Sequence, residues 1–288
     1  MTRRHQLLRR TAALAAVIAL LAAGCGSGEP ADVDDLATDG ATREGDVLEQ
    51  IRADGVLRVS NTQANPPYSF VDESNDVVGF DVDVAEEIAS RIGIDEVEFI
   101  VGTFQTFIPG LQSDKWDVVV SGLTITEERQ EQVDFSCPYQ VNDVAIFVAQ
   151  GVEGIEEEAD LAGRRIAVTA GGTQEEQANQ IEGATVLTYD NATLALSDVA
   201  AGRADAYIGS KFTGAYLADQ NNLDVSPAEG YLSREINAMA FPKGQEELIA
   251  AADEALAEMI DDGTLSDISR EWLGGLDMVE GLSELPDC

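Results

Sequence analysis

Residues 116–139 read W-D-V-V-V-S-G-L-T-I-T-E-E-R-Q-E-Q-V-D-F-S-C-P-Y. Asp117 to Val120 includes three consecutive valines, the pattern of a short buried strand. Ser121-Gly122-Leu123-Thr124 closes that strand. Its small residues leave backbone N–H groups and two hydroxyls open to whatever sits at the strand's C-terminal end. Thr126 is placed to cap a helix, and Glu127 and Glu128 fall in the first turn, where negative charge suits the helix dipole. Arg129 lies on the same turn. A guanidinium fork beside hydroxyls and free amides receives a carboxylate through both its oxygens. The alternative is that Arg129 pairs with a glutamate of its own helix.

Outward from this stretch, strands and helices alternate. On the N-terminal side, Val56–Ser60 reads as a strand, and Asn61–Pro67 as a loop. Tyr68–Phe70 and Val77–Phe80 read as a small hairpin around Asp72–Asp76. Val82, Val84, Ala85, Ile88, Ala89 and Ile92 have helical spacing over Asp81–Ile92, stopped by Gly93. Val97–Val101 is the next strand. Phe104–Gln112 is expected to be a helix, kinked or shifted in register by Pro109. On the C-terminal side, Asn142–Ala149 reads as a crossing to a second alternating set. That set has strands at Arg165–Thr169, Thr185–Thr188 and Ala204–Ile208, and helices at Thr173–Ile181, Ala192–Ala201 and Lys211–Gln220. Glu235–Phe241 reads as the return crossing, and helices Gln245–Ile260 and Thr264–Trp272 close the chain. Alternation of this kind implies an α/β fold with mostly parallel sheets. Two lobes with two crossings leave a cleft at the C-terminal ends of the strands.

The run S-G-L-T-I-T-E-E-R followed by V-D-F-S-x-P-Y resembles the signature of the family-3 extracellular solute-binding proteins, the receptors of polar amino acid ABC importers. The resemblance extends from Val56 to Trp272. It implies a two-lobed periplasmic-binding-protein-like fold of type II. It also implies a small zwitterionic ligand such as an amino acid, an ABC permease as partner, no cofactor and no enzymatic activity. The ligand-binding residues it suggests are Arg129, Ser121, Gly122 and Thr124 from the first lobe and Thr173 from the second. Phe104 and Tyr68 match aromatic positions against the ligand, although core packing is the ordinary role of a Phe. Thr173, in Gly171-Gly172-Thr173-Gln174, is expected to cap its helix and help hold the ligand carboxylate; an ordinary capped turn is the alternative. Trp116 and Trp272 are assigned to packing.

One position departs from the family pattern. The family commonly has an Asp that holds the ligand's α-ammonium where this chain has Ser210. A neutral hydroxyl cannot neutralise a buried ammonium. Either another acid substitutes, with Asp143 a candidate, or the ligand lacks a primary α-ammonium, as ectoine does. A cyclohexadienyl or arogenate dehydratase on the same scaffold is a further alternative. With no His to serve, its general acid would be a carboxyl such as Glu175 or Glu176.

The lone His is His5. Beyond the leader there is thus no imidazole for a triad, a proton shuttle or a zinc site. Residues 1–24 combine Arg3, Arg4, Arg9 and Arg10 with an apolar run, Thr11–Ala23, too short to cross a bilayer comfortably. The run ends in Leu21-Ala22-Ala23-Gly24-Cys25, which resembles a bacterial lipobox and implies a signal peptide over 1–24 and lipidation of Cys25. Residues 25–45 are poor in large apolar side chains and read as a flexible tether. Residues 46–143 and 240–288 are assigned to lobe one and 144–239 to lobe two. The expected product is a monomer, extracytoplasmic and lipid-anchored to the cell membrane.

The leader carries four of the 17 Lys and Arg and no acid. The rest therefore has 13 basic and 54 acidic residues, formally −41. That excess argues against nucleic acid and against attraction to anionic lipid. Cys137 and Cys288 remain as an even pair, free to form a disulfide in an oxidising compartment.

Overall fold

A computed structural model describes residues 47–285 and 288. The leader, Cys25 and the tether lie outside the described residues. In chain order the first half comprises α1 (Val47–Asp54), β1 (Val56–Asn61), β2 (Ala64–Asn65), β3 (Ser69–Val71), β4 (Val77–Val78), α2 (Phe80–Arg91), β5 (Glu96–Val101), α3 (Phe107–Gln112), β6 (Val118–Thr124), α4 (Glu127–Gln130) and the long β7 (Asp134–Ala149). A 3-10 turn at Glu158–Leu161 precedes β8 (Arg165–Thr169), α5 (Thr173–Gln180), β9 (Thr185–Tyr189), α6 (Ala192–Ala200), β10 (Ala206–Ser210), α7 (Lys211–Gln220) and β11 (Val225–Pro227). Strand β12 (Ser233–Phe241) and helices α8 (Glu246–Asp261), α9 (Thr264–Trp272) and α10 (Met278–Leu282) complete the chain.

The strands β5-β1-β6-β12-β7-β10-β8-β9 lie side by side in that order, and β11 adds to β7. The outer strands are parallel, β5 and β6 to β1, and β9 and β10 to β8. At the centre β7 and β12 run antiparallel to each other. Strand β7 pairs with β12 from Asp134 to Val144 and with β10 from Val144 to Phe147, so one strand serves both halves.

The cores follow this division. One cluster packs α1, α2, α8 and α9 residues such as Ile51, Phe80, Ile88, Leu256 and Leu265 against Val59 and Val120, and another gathers Phe107, Trp116, Leu123 and Val133. Two more, around Ile166 and Val168 and around Phe147 and Leu196, draw their buried residues from 144–217. In α8 the buried Leu248, Ala252, Ala255, Leu256 and Met259 recur at helical spacing, which lays one apolar stripe on the first half.

Several elements differ from the sequence reading, each for a local reason. Strand β6 does not end at Val120 but continues to Thr124, because Thr124 and Leu123 pair with Asn237 and Ala238 of β12. Gly122 absorbs the irregularity with φ of +58°, where a side chain is disfavoured. Helix α3 starts at Phe107 rather than Phe104, since Thr103 and Thr106 form a hydroxyl-bonded turn before it. Pro109 then sits in the first helical turn, where its missing N–H needs no partner, and no kink is required of it. Strand β10 lies two residues later than expected. Asp205 instead accepts the Arg165 backbone N–H at 2.8 Å and pairs with its guanidinium. Helix α5 takes Gly172 as its cap, and Thr173 is the first helical residue rather than the cap.

Trp116 is fully buried, and its indole N–H donates to the Phe107 carbonyl at 3.2 Å. Trp272 packs edge-on to Phe70 and donates to Asp83 at 2.6 Å. Cys137 and Cys288 form a disulfide, with Cα atoms 5.6 Å apart.

Candidate ligand-binding site

Thr126 caps α4 by accepting the Arg129 backbone N–H at 3.2 Å, and this cap fixes where Arg129 emerges. The Arg129 side chain turns back under β6. Its guanidinium donates to the Thr124 carbonyl at 2.9 Å and to the Gly171 carbonyl of the second half at 3.3 Å. Arg129 is only 8 % exposed, and burial holds its pKa below the ordinary arginine value. Among the described residues it forms no ion pair, so the pairing with a glutamate of α4 is not made.

Arg129 lines a cavity of about 230 Å³, a small-molecule rather than a peptide scale. Tyr68, Phe104, Ser121, Gly122, Thr124, Thr173 and Ser210 line the same cavity, so all eight positions singled out in the sequence come together there. Phe104 is half-buried and packs edge-on against Phe107 at 5.5 Å, leaving part of its ring toward the cavity. Neither Trp116 nor Trp272 lines it.

Hydrogen bonding is incomplete at the cavity wall. Ser121 Oγ, the Tyr68 hydroxyl, Asn142 Oδ1 and Asn237 Oδ1 are buried without a protein partner. An unmet buried polar atom costs on the order of 1–3 kcal/mol, so four on one wall mark a surface made for a polar guest. Burial pushes the Tyr68 phenol well above its usual range, which keeps it protonated as a donor.

Two sequence expectations are corrected. Asp143 does not line the cavity; its carboxylate is taken by Arg234 at 2.9 Å. Glu175 and Glu176 do not line it either, and Glu175 accepts the Gly171 N–H at 2.7 Å. The Thr173 hydroxyl lines the cavity and donates to Glu235. Ser210 accepts the Thr213 N–H at 3.3 Å as the cap of α7. Sequence reading missed Gln140, Asn142, Gln174, Glu235 and Asn237. Four of them are polar residues on the two central strands, and that placement was the available signal.

The two halves also touch across the cavity mouth. Thr213 Oγ1 donates to Asn65 Oδ1 at 3.0 Å, and Phe70 and Tyr216 approach to 6.4 Å. Gly171 comes so near Phe104 and Gln105 that an added Cβ would lie 2.8 Å from the Gln105 backbone nitrogen. Its φ of +77° disfavours a side chain as well. Gly171→Ala is expected to weaken ligand binding about 10-fold by opposing this contact, at a stability cost of about 1 kcal/mol. Titration calorimetry and a denaturant melt check it; equal affinity in the variant would mean that the contact plays no part in binding.

Behind the wall lies a buried acid. The Gly122 N–H donates to the Tyr139 hydroxyl at 2.9 Å, which donates to Asp81 at 2.8 Å. Asp81 is fully buried and its second oxygen has no partner. Burial raises its pKa from 3.8 to about 7. The folded state therefore holds this proton more tightly than the unfolded chain. Its contribution falls as pH rises from about 4 to about 7 and is flat above that. Asp81→Asn is neutral throughout. Its stability relative to the parent is expected to improve by roughly 2–3 kcal/mol between pH 5 and pH 8. Denaturant melts at the two pH values measure this, and a constant difference would refute it.

Comparison with known proteins places this geometry. Residues 57–275 match the bacterial extracellular solute-binding proteins, family 3. The chain belongs to that family. The L-cystine-binding protein TcyJ of Escherichia coli (strain K12) is 32 % identical over 230 residues, covering 79 % of this chain and 86 % of the relative. An ancestral arginine-binding protein bound to glutamine superposes with a TM-score of 0.73 at 39 % identity, covering 76 % of this chain and 98 % of that one. An ancestral amino acid-binding protein, a precursor of cyclohexadienyl dehydratase, gives 0.73 at 33 % identity over 80 % of this chain and 100 % of its own. The fold is the two-lobed α/β architecture of such proteins, and these relatives are binding proteins rather than enzymes. No described helix is long and apolar enough to cross a membrane.

Proposed function

We propose that this chain is the solute-binding component of an ABC importer and takes a polar amino acid between two closing lobes. The observation that carries the reading is the Arg129 guanidinium. It is buried in a cavity walled by both halves, and its present partners are carbonyls that a carboxylate would outcompete. Ser121, Gly122 and Thr124 supply further contacts to that carboxylate. Tyr68 and Phe104 flank the rest of the guest, and Thr173 and Ser210 bound it from the second lobe. We place lobe one at 46–143 and 240–288 and lobe two at 144–239, a division the separate cores favour. Residues 1–24 act as a lipoprotein signal, Cys25 carries the lipid, and residues 25–45 tether a monomer outside the cytoplasm within reach of its permease. The family membership and the ligands named for the relatives support this reading.

Titration calorimetry with L-cystine, L-arginine, L-glutamine and ectoine tests it. Binding of at least one amino acid, with a more compact scattering profile in the complex, is the expected result. Binding of ectoine with none of the amino acids would transfer the site to a compatible solute. No binding of any would overturn the proposal.

A further inference from the structure

Arg129 supplies positive charge to the cavity, and its lining also includes two carboxylates, Asp190 and Glu235. Asp190 is exposed at the rim. Glu235 is half-buried on the central strand β12. It accepts from the Thr173 hydroxyl, from Gln174 Nε2 at 2.9 Å to each oxygen, and from Asn142 Nδ2 at 3.1 Å. All three partners are neutral. They fix the carboxylate in place without cancelling its charge, and no Lys or Arg pairs with it among the described residues. These are four hydrogen bonds from three neutral groups, the Gln174 amide bridging both oxygens, so the carboxylate is held while its negative charge stays unneutralised.

Resting on the amino-acid reading above, we infer that Glu235 is the counter-charge for the guest's α-ammonium, opposite Arg129, which holds its carboxylate. The Thr173 hydroxyl, having given its hydrogen to Glu235, faces the ammonium as a second acceptor. The cavity then reads both ends of a zwitterion from two different elements, helix α4 and strand β12. It disfavours an acid that lacks the ammonium, because Glu235 would face it unpaired. Asn142 of β7 and Gln174 of α5 converge on the same carboxylate, so the ammonium also joins the second lobe to the central strands.

The test uses L-glutamine, L-arginine and L-cystine, each beside its des-amino counterpart, in which hydrogen replaces the ammonium. Affinities are measured for the parent, Glu235→Gln and Asp190→Asn. In the parent, loss of the ammonium is expected to cost about 100-fold. In Glu235→Gln the amino acid itself should weaken by about 30-fold, and the discrimination against the des-amino acid should shrink to within about 10-fold. Asp190→Asn should keep the parent's discrimination. If thermal melts show Glu235→Gln unfolded, Glu235→Asp withdraws the carboxylate by one methylene and should still narrow the discrimination. Parent-like discrimination in the Glu235 variants, or its loss in Asp190→Asn instead, overturns the inference and leaves the amino-acid reading standing. No binding of any of the three amino acids by the parent overturns both.

Discussion

Arg129→Ala is expected to weaken ligand binding by about 1,000-fold while the protein stays folded. The asymmetry follows from where the charge sits. Burial lowers the guanidinium's pKa, so the folded protein holds this cation at a desolvation cost. In the structure two bonds to carbonyls, those of Thr124 and Gly171, and the attraction of Glu176, Glu235 and Glu128 offset part of that cost. Alanine removes the desolvation cost together with those bonds, so the melting temperature should change by no more than a few degrees. The ligand loses its bidentate partner outright. Arg129→Lys should recover only a small part of the affinity, because an ammonium cannot present the planar fork. Calorimetry on the two variants decides the matter. Affinity within about 10-fold of the parent in Arg129→Ala would remove this side chain from the ligand contacts.

Much of this site was legible because its signals are local. Thr126, Glu127, Glu128 and Arg129 form one capped turn, and the cap alone fixes the direction in which the guanidinium leaves the backbone. The alternation of strands and helices from Val56 to Trp272 gave the α/β class, since its periodicities are properties of single elements. What escaped depends on partners far along the chain. Strand β6 runs through Gly122 to Thr124 because Asn237 and Ala238 arrive beside it from more than a hundred residues later. Thr173 was read as a capping hydroxyl, but Glu235 reaches it from β12 and takes its hydrogen. Asp143 looked available until Arg234 supplied a partner from the neighbouring strand. Polar residues within the central strands β7 and β12 carry most of what was missed. A period-2 pattern places them on a face without saying what that face borders.

Removal of the Cys137–Cys288 disulfide is the other change with a large expected effect, on stability rather than on binding. The bridge closes a loop with a sequence separation of 151 residues. Chain-entropy arguments put its effect near 5 kcal/mol as an upper figure, with about 2–4 kcal/mol typical. For a chain of this size each kcal/mol corresponds to about 2–4 °C, so the double substitution Cys137→Ser with Cys288→Ser should lower the melting temperature by about 5–15 °C. Other contacts limit the loss. Helix α10 lies along β7, where the Val141 N–H meets Met278 Sδ at 3.2 Å, and Glu284 pairs with Arg234 at 2.9 Å. The Cys137 N–H is also held by Asp253 at 2.7 Å. None of these residues lines the cavity, so ligand affinity at a temperature where the variant is folded should stay within about 3-fold of the parent. Reductant should reproduce the shift in the parent and leave the variant unmoved. An unchanged melting temperature in both would mean that packing of α10 alone fastens the C-terminal segment to the central strand. A large loss of affinity would instead make that segment part of what holds the two lobes in their binding geometry.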